Sequence, residues 1–369
     1  MTKLKVMHIT FDMHIGGTEM VIKNIIEACD TQRFNMSLFC IEQPLGPWGE
    51  DMRKNGTSIT SVARHAGLDF KVISAIRKHL KFYDIDIIHC HQYTPWVYGT
   101  FSAIGLKTKI VFTEHGRFYP DFSSWKRRFI NPILARMTNE ITAISKATKD
   151  ALVAYEFIQS SRIKVIYNGI APLLCSADST EVRSKYGISN ETLLLGTIAR
   201  LDPIKNHPMM LKALRRCLDM KLDVKLIIVG DGAVRQQIEQ IITDLALKNH
   251  VVLTGYEPNP AQLLQAFDLY LLTSFSEGTS MTLLEAMSLS KPCIVTNVGG
   301  NPEVIKDQLN GIVIESDSDK ALADSIKALI QNPANIKYMG LEAKNRYQQL
   351  FSAIEMSNQY STLYNAETE

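Results

Sequence analysis

Short runs of apolar residues rich in Val and Ile recur along nearly the whole chain, and between them the apolar positions fall at helical spacing. In the first half the runs are 4–10 (LKVMHIT), 35–42, 59–63, 85–91, 109–115, 140–145 and 164–169. In the second half they are 192–200, 225–232, 251–256, 269–274, 292–297 and 311–315. Runs without polar alternation, separated by helices, predict strands buried on both faces of parallel sheets. Two such series flank APLLCSADSTEVRSKYGISNET, which has no buried-strand pattern. The expected organisation is therefore two doubly wound α/β domains, 1–170 and 171–350, with a helical segment at 351–369. Open parallel sheets bind ligands at the carboxyl ends of their strands, so the expected site is a cleft between two facing sheets.

Composition narrows the class. The 369 residues suffice for two cores, and 46% hydrophobic with 21% charged residues is ordinary for a globular protein. A net charge of +2, with no long run of one sign, argues against a nucleic-acid partner. The six cysteines are dispersed and form no CxxC, which fits free thiols in a reducing compartment better than disulfides or a zinc site. The start MTKLKVMHITFDMHIGG is too short and polar for a signal peptide, and no apolar run approaches membrane-spanning length. The expected location is the cytoplasm, with contact to the inner face of the membrane as an open alternative.

Several candidate chemical groups follow predicted strands. Gly16 and Gly17 lie between the first strand and an amphipathic helix, where glycine permits a tight turn and close approach of a ligand to the helix start. The pattern is not GxGxxG and lacks the acidic residue of a dinucleotide site, so a dehydrogenase is disfavoured. Arg200 and Lys205 follow the strand at 192–200 and could share one anion. In SFSEGTSMTLLEAMS (274–288), a helix is expected to start near Thr279–Thr282, with Thr282 and Glu285 as a capping box. Glu277 then falls in the loop and Glu285 in the first turn. Eight residues span about 12 Å even as a helix, too far for a hydrolase carboxylate dyad. The two glutamates are expected to touch different parts of one extended ligand, with Glu285 as a mere cap the alternative.

Gly299–Gly300 precede Pro302, again permitting close backbone approach, and His115 ends a strand with Gly116 behind it. Asp84-Ile85-Asp86 and Asp317-Ser318-Asp319 match a metal-binding DxD but read as a strand start and a helix cap. In His89-Cys90-His91 the two histidines point one way and the cysteine the other, so those three cannot form a ligand set. No metal site is expected.

ARLDPIKN, EGTSMTLLEAM and SKPCIVTNVGGNPEVI, with the Gly-Gly loop, TEHG, TAIS and VIYNGI of the first half, resemble a family 4 retaining glycosyltransferase of GT-B fold. The resemblance implies that the last helix, around 351–365, returns to the first domain. It implies that Arg200 and Lys205 hold the donor diphosphate, that Glu277 meets the sugar hydroxyls, and that Glu285 takes the ribose. Gly278, Thr279, Ser280, Met281 and Thr282 would line the donor with backbone, Gly16 and Gly17 would face the phosphates, and His115 would sit near the reacting sugar. Where the family often has Pro or Phe-Gly after the first glutamate's glycine, this chain has Thr279–Ser280, which leaves sugar preference open. No cofactor is implied beyond the donor substrate, a nucleoside-diphosphate sugar, UDP-linked by default with GDP-mannose the alternative.

The implied acceptor is a saccharide or lipid-linked molecule in cell-surface polysaccharide or glycolipid synthesis. Residues 123–137 (SSWKRRFINPILARM) mix cations with aromatics and suit an anionic membrane surface. The competing reading buries Phe129, Ile133 and Met137 in the domain core. Two rival functions remain at this level: a same-fold sugar-nucleotide epimerase and a non-catalytic nucleotide-sugar binder.

Overall fold

The computed structural model describes residues 3–116, 124–175 and 179–365. The chain divides into two compact units, residues 1–171 together with 352–369, and residues 172–351. In the first, β1 (Leu4–Thr10), β2 (Phe34–Cys40), β3 (Ser58–Ser61), β4 (Ile87–His91), β5 (Lys109–Glu114), β6 (Glu140–Ala143) and β7 (Ile163–Val165) form one parallel sheet in the order β3-β2-β1-β4-β5-β6-β7. In the second, β8 (Leu193–Ile198), β9 (Val224–Val229), β10 (Val251–Gly255), β11 (Leu269–Leu272), β12 (Cys293–Thr296) and β13 (Gly311–Ile314) form a parallel sheet ordered β10-β9-β8-β11-β12-β13.

Every apolar run singled out in the sequence becomes a strand, mostly shorter than its run. The run at 85–91 begins only at Ile87, because Asp86 turns its carboxylate to the Lys5 N–H (2.8 Å). The run at 164–169 ends at Val165, and Ile170 instead bridges to Ser352.

The two faces of the first sheet differ in chemistry. Met7, Ile9, Ile88, Cys90, Ile110 and Phe112 form an apolar face, with Trp96 stacked on Phe112 at 4.3 Å. The alternate residues His8, His89, His91, Thr113 and Thr142 form a polar face, also fully buried. Buried polar groups are tolerated when they are hydrogen-bonded, and here the C-terminal helix Ala353–Asn365 supplies partners. Tyr364 Oη lies 2.7 Å from His89 Nδ1, and Tyr360 Oη lies 3.2 Å from Thr113 Oγ1. These tyrosines are four residues apart and share one face of the helix, which also contacts helix Gly17–Glu27. The second sheet has a more ordinary core, with Leu195, Leu226, Ile228, Leu269 and Leu271 packed among Met210, Leu214 and Ile326.

Candidate functional site

In the second unit the carboxyl ends of β8, β11 and β12 lie side by side, since these strands are neighbours in the sheet. After β8, the Asp202 side chain accepts from the Ile204 N–H (3.1 Å) and starts a tight turn, Pro203–Lys205, closed by Asn206 in a left-handed conformation. The turn is tied to the loop after β11. The Phe275 N–H donates to the Ile204 carbonyl (2.8 Å), and Thr273 Oγ1 donates to the carbonyls of Lys205 and Asn206.

This stitching brings Lys205 Nζ within 2.7 Å of Glu277 Oε1, an oxygen that also accepts from Ser274 Oγ at 2.5 Å. The Glu277 side chain is only 9% exposed and that of Lys205 22%, so the pair is well shielded from water. Arg200 behaves differently: its side chain is 74% exposed and pairs with Asp202 at 3.1 Å. The two cations expected to share an anion are thus one held and one largely solvated.

The helix within SFSEGTSMTLLEAMS runs Met281–Ser288, and its cap differs from the sequence reading. Ser280, not Thr282, is the N-cap, its Oγ accepting from the Leu283 N–H (3.3 Å). Thr282 points its hydroxyl to Tyr270 Oη at 2.7 Å. Glu285 is therefore the fifth helical residue, in the second turn, and is no capping group. Burial pushes its carboxyl from 4.5 up to about 7. The reason for the miss is local: Ser280 and Thr282 are both competent caps, and only tertiary packing on Tyr270 takes Thr282 away.

Gly299 does permit a close approach, but to the protein itself. It sits at φ +50, and a Cβ there would lie 1.8 Å from the Glu277 carbonyl oxygen, which also accepts from the Gly300 N–H at 3.1 Å. The loop after β12 thus clamps the backbone of Glu277. At the other Gly-Gly pair, Gly16 makes no left-handed turn. Its φ is −161, and neither it nor Gly17 uses the left-handed region. Gly16 provides room instead, since a Cβ would meet Glu19 Oε2 at 2.2 Å. Glu19 lies in the first turn of helix Gly17–Glu27, where a carboxylate suits the helix dipole.

The acidic pairs have structural partners. Asp84 caps a helix in the left-handed region, and Asp86 holds the Lys5 N–H. Asp317 accepts from Asn206 Nδ2 at 3.0 Å, and Asp319 pairs with Arg216.

His115 is joined to a buried array that the sequence did not disclose. His8 Nδ1 lies 2.9 Å from His91 Nε2, and His91 Nδ1 lies 2.8 Å from His115 Nε2. The sequence correctly separates Cys90, which faces the apolar core, but misses that His8 on the neighbouring strand completes a group with His89 and His91. The β1–β4 register, with His8 opposite His89, is the missing signal. Their ligand atoms lie within 4.8 Å of one another. Both nitrogens of His89 bond to Tyr364 and Thr113, and both of His91 bond to His8 and His115, so two of the three rings are fully engaged in a hydrogen-bond network, while His8 Nε2 has no partner among the described residues.

Helix Trp125–Met137 overturns the core reading of its segment, of which Ser123 lies outside the described residues. Arg127 pairs with the buried Glu156 at 2.5 Å, and Asn131, Leu134 and Ala135 are buried. Trp125, Phe129, Ile133 and Met137 are exposed, by 72, 66, 57 and 37%, and do not enter the core. No described helix is long and apolar enough to cross a membrane.

Two parallel-sheet units, with charged side chains gathered at strand ends of the second, have the α/β architecture of the GT-B class. The model described as Glycosyltransferase Family 4 matches residues 15–172, and that described as Glycosyl transferases group 1 matches residues 178–346. The chain belongs to this glycosyltransferase family. It is 25% identical to UDP-Gal:alpha-D-GlcNAc-diphosphoundecaprenol alpha-1,3-galactosyltransferase of Escherichia coli, over 98% of this chain and 97% of that one. It is 28% identical to N-acetyl-alpha-D-glucosaminyl L-malate synthase of Bacillus anthracis, over 82% and 81%. HepE of Anabaena, solved in complex with UDP, superposes with a TM-score of 0.87 at 22% identity, over 98% and 99%.

Proposed function

We propose that this glycosyltransferase moves a hexose-type sugar from a UDP-sugar to a saccharide or lipid-linked acceptor, with retention at the anomeric carbon and without a metal ion. The observation that carries the reading is the Lys205–Glu277 pair, held at 2.7 Å beside the Ser280-capped helix. Lys205 and Arg200 would stabilise the negative charge that grows on the leaving diphosphate, a task that prearranged cations perform without further reorganisation. Glu277 would orient the sugar through its hydroxyls, the backbone from Gly278 to Thr282 would line the diphosphate, and Glu285 would meet the ribose. His115 would stand near the reacting sugar.

The relatives named above support the donor and acceptor classes: one is named for UDP-Gal and a diphosphoundecaprenol acceptor, and one was solved with UDP. The test is product stereochemistry by NMR, with a UDP-sugar donor and strong chelator present. An α-configured product from an α-linked donor is expected. An inverted product, or activity abolished by the chelator and restored by a divalent ion, would contradict it.

The exposed stripe of helix Trp125–Met137 supports contact with an anionic membrane surface, where a lipid-linked acceptor would be met. Apolar side chains at four-residue spacing would enter the interface, with exposed Lys126, Arg128 and Arg136 flanking them.

A further inference from the structure

We propose that His8 and His91 are positioning residues for His115, the three imidazoles acting as one tautomeric unit; this rests on the proposed placement of His115 beside the reacting sugar. Each link joins an Nδ1 to an Nε2, at 2.9 and 2.8 Å. A neutral imidazole has one N–H and one bare nitrogen. If His8 donates through Nδ1, His91 must accept through Nε2 and carry its proton on Nδ1, so His115 accepts through Nε2 and is itself protonated on Nδ1. If donation runs the other way, all three carry their protons on Nε2. No mixed arrangement makes both bonds with neutral rings.

The unit is well insulated. His8 and His91 are fully buried, and the outer nitrogens, His8 Nε2 and His115 Nδ1, have no hydrogen-bond partner among the described residues. Neighbouring His89, whose ring centre lies 4.1 Å from that of His91, stays outside the chain of bonds because its nitrogens bond to Tyr364 and Thr113. Burial pushes His8 and His115 down to about 3 and holds His91 well below the usual imidazole range, so the rings are neutral at physiological pH. A switch from one state to the other would need one proton delivered to His115 Nδ1 and one removed from His8 Nε2; neither nitrogen has a described partner to exchange with, so the unit is held in one state. A tautomer fixed in this way sets which edge of His115 can donate.

The test is NMR of protein labelled with 15N and 13C, which reads protonation at each histidine ring nitrogen, with rings assigned by through-bond correlation to the backbone. His8, His91 and His115 are expected to show the same tautomer in the unsubstituted protein. A mixed set would overturn the proposal even if no variant folds. In His8→Phe, kcat should fall about tenfold to a hundredfold with donor KM unchanged, the scale of a misplaced catalytic group. His8→Asn, whose amide takes the place of Nδ1, should recover much of it. Matching tautomers with unchanged kcat in His8→Phe would overturn the positioning role. Loss of all nucleotide-sugar binding by the unsubstituted protein would instead contradict the proposed function, leaving the tautomer result untouched.

Discussion

Lys205 Nζ and Glu277 Oε1 stand 2.7 Å apart, on loops that follow two adjacent strands of the second sheet. Each group meets the other before any donor is present. An incoming diphosphate would compete with Glu277 for the ammonium, while the sugar would claim the carboxylate. The pair therefore holds both groups ready and keeps neither charge alone in a poorly hydrated place.

Removing one partner should expose this division of labour. Lys205→Ala is expected to lose nucleoside-diphosphate affinity and to slow transfer by about 10²–10³. Glu277→Ala, which frees the ammonium, is expected to keep or strengthen diphosphate binding while losing turnover. Calorimetric titration with UDP checks both. Equal affinity in Lys205→Ala and the unsubstituted protein would contradict the assigned role.

Glu285 should give the second unit a distinctive pH dependence. Its carboxyl is raised from 4.5 to about 7 by burial. Below pH 4.5 it is protonated in folded and unfolded chains alike, and its full contribution is present. Between 4.5 and 7 the unfolded chain releases the proton that the folded one keeps, so stability falls with rising pH, by about 3 kcal/mol in all. Glu285→Gln is expected to remove this slope, gaining Tm at pH 8 relative to pH 5 while weakening nucleotide binding. An identical pH profile in the variant would count against the account.

Gly299→Ala tests the backbone clamp on Glu277. The added methyl would meet a carbonyl oxygen at 1.8 Å, and the left-handed conformation disfavours alanine. A loss of about 1–3 kcal/mol in stability is expected from strain of this kind. Because the clash falls on Glu277 itself, kcat should drop as well. Unchanged stability and kcat would show that the loop moves freely.

The exposed helix stripe yields a surface prediction. Reversing Lys126, Arg128 and Arg136 to Glu should weaken binding to anionic vesicles, at about 1 kcal/mol for each cation lost near the surface. Arg127 is left intact because it pairs with the buried Glu156. Co-sedimentation with phosphatidylglycerol vesicles reads the result. Equal binding by the triple variant would contradict membrane contact.

The fold was legible because buried parallel strands announce themselves as uninterrupted apolar runs, and thirteen such runs became thirteen strands. Lys205, Glu277 and Gly299 could be singled out because each follows such a run. What could not be read depends on neighbours distant in sequence. Thr282 leaves the cap only because Tyr270 lies beneath it, and Gly299 meets the Glu277 carbonyl rather than a ligand. The histidine array needs the register of β1 against β4, which an apolar pattern does not encode. The exposure of Phe129 and Ile133 likewise depends on which side of their helix the domain covers.

The central claim, that this chain binds and uses a nucleoside-diphosphate sugar, is tested most directly by thermal unfolding against a panel of UDP- and GDP-linked sugars and the free diphosphates. A ligand at 100 times its Kd should add about 2.7 kcal/mol of stability. UDP and at least one UDP-sugar are expected to raise Tm in the unsubstituted protein, with the shift reduced in Lys205→Ala. A panel in which no nucleoside diphosphate or sugar nucleotide stabilises the protein would contradict the account.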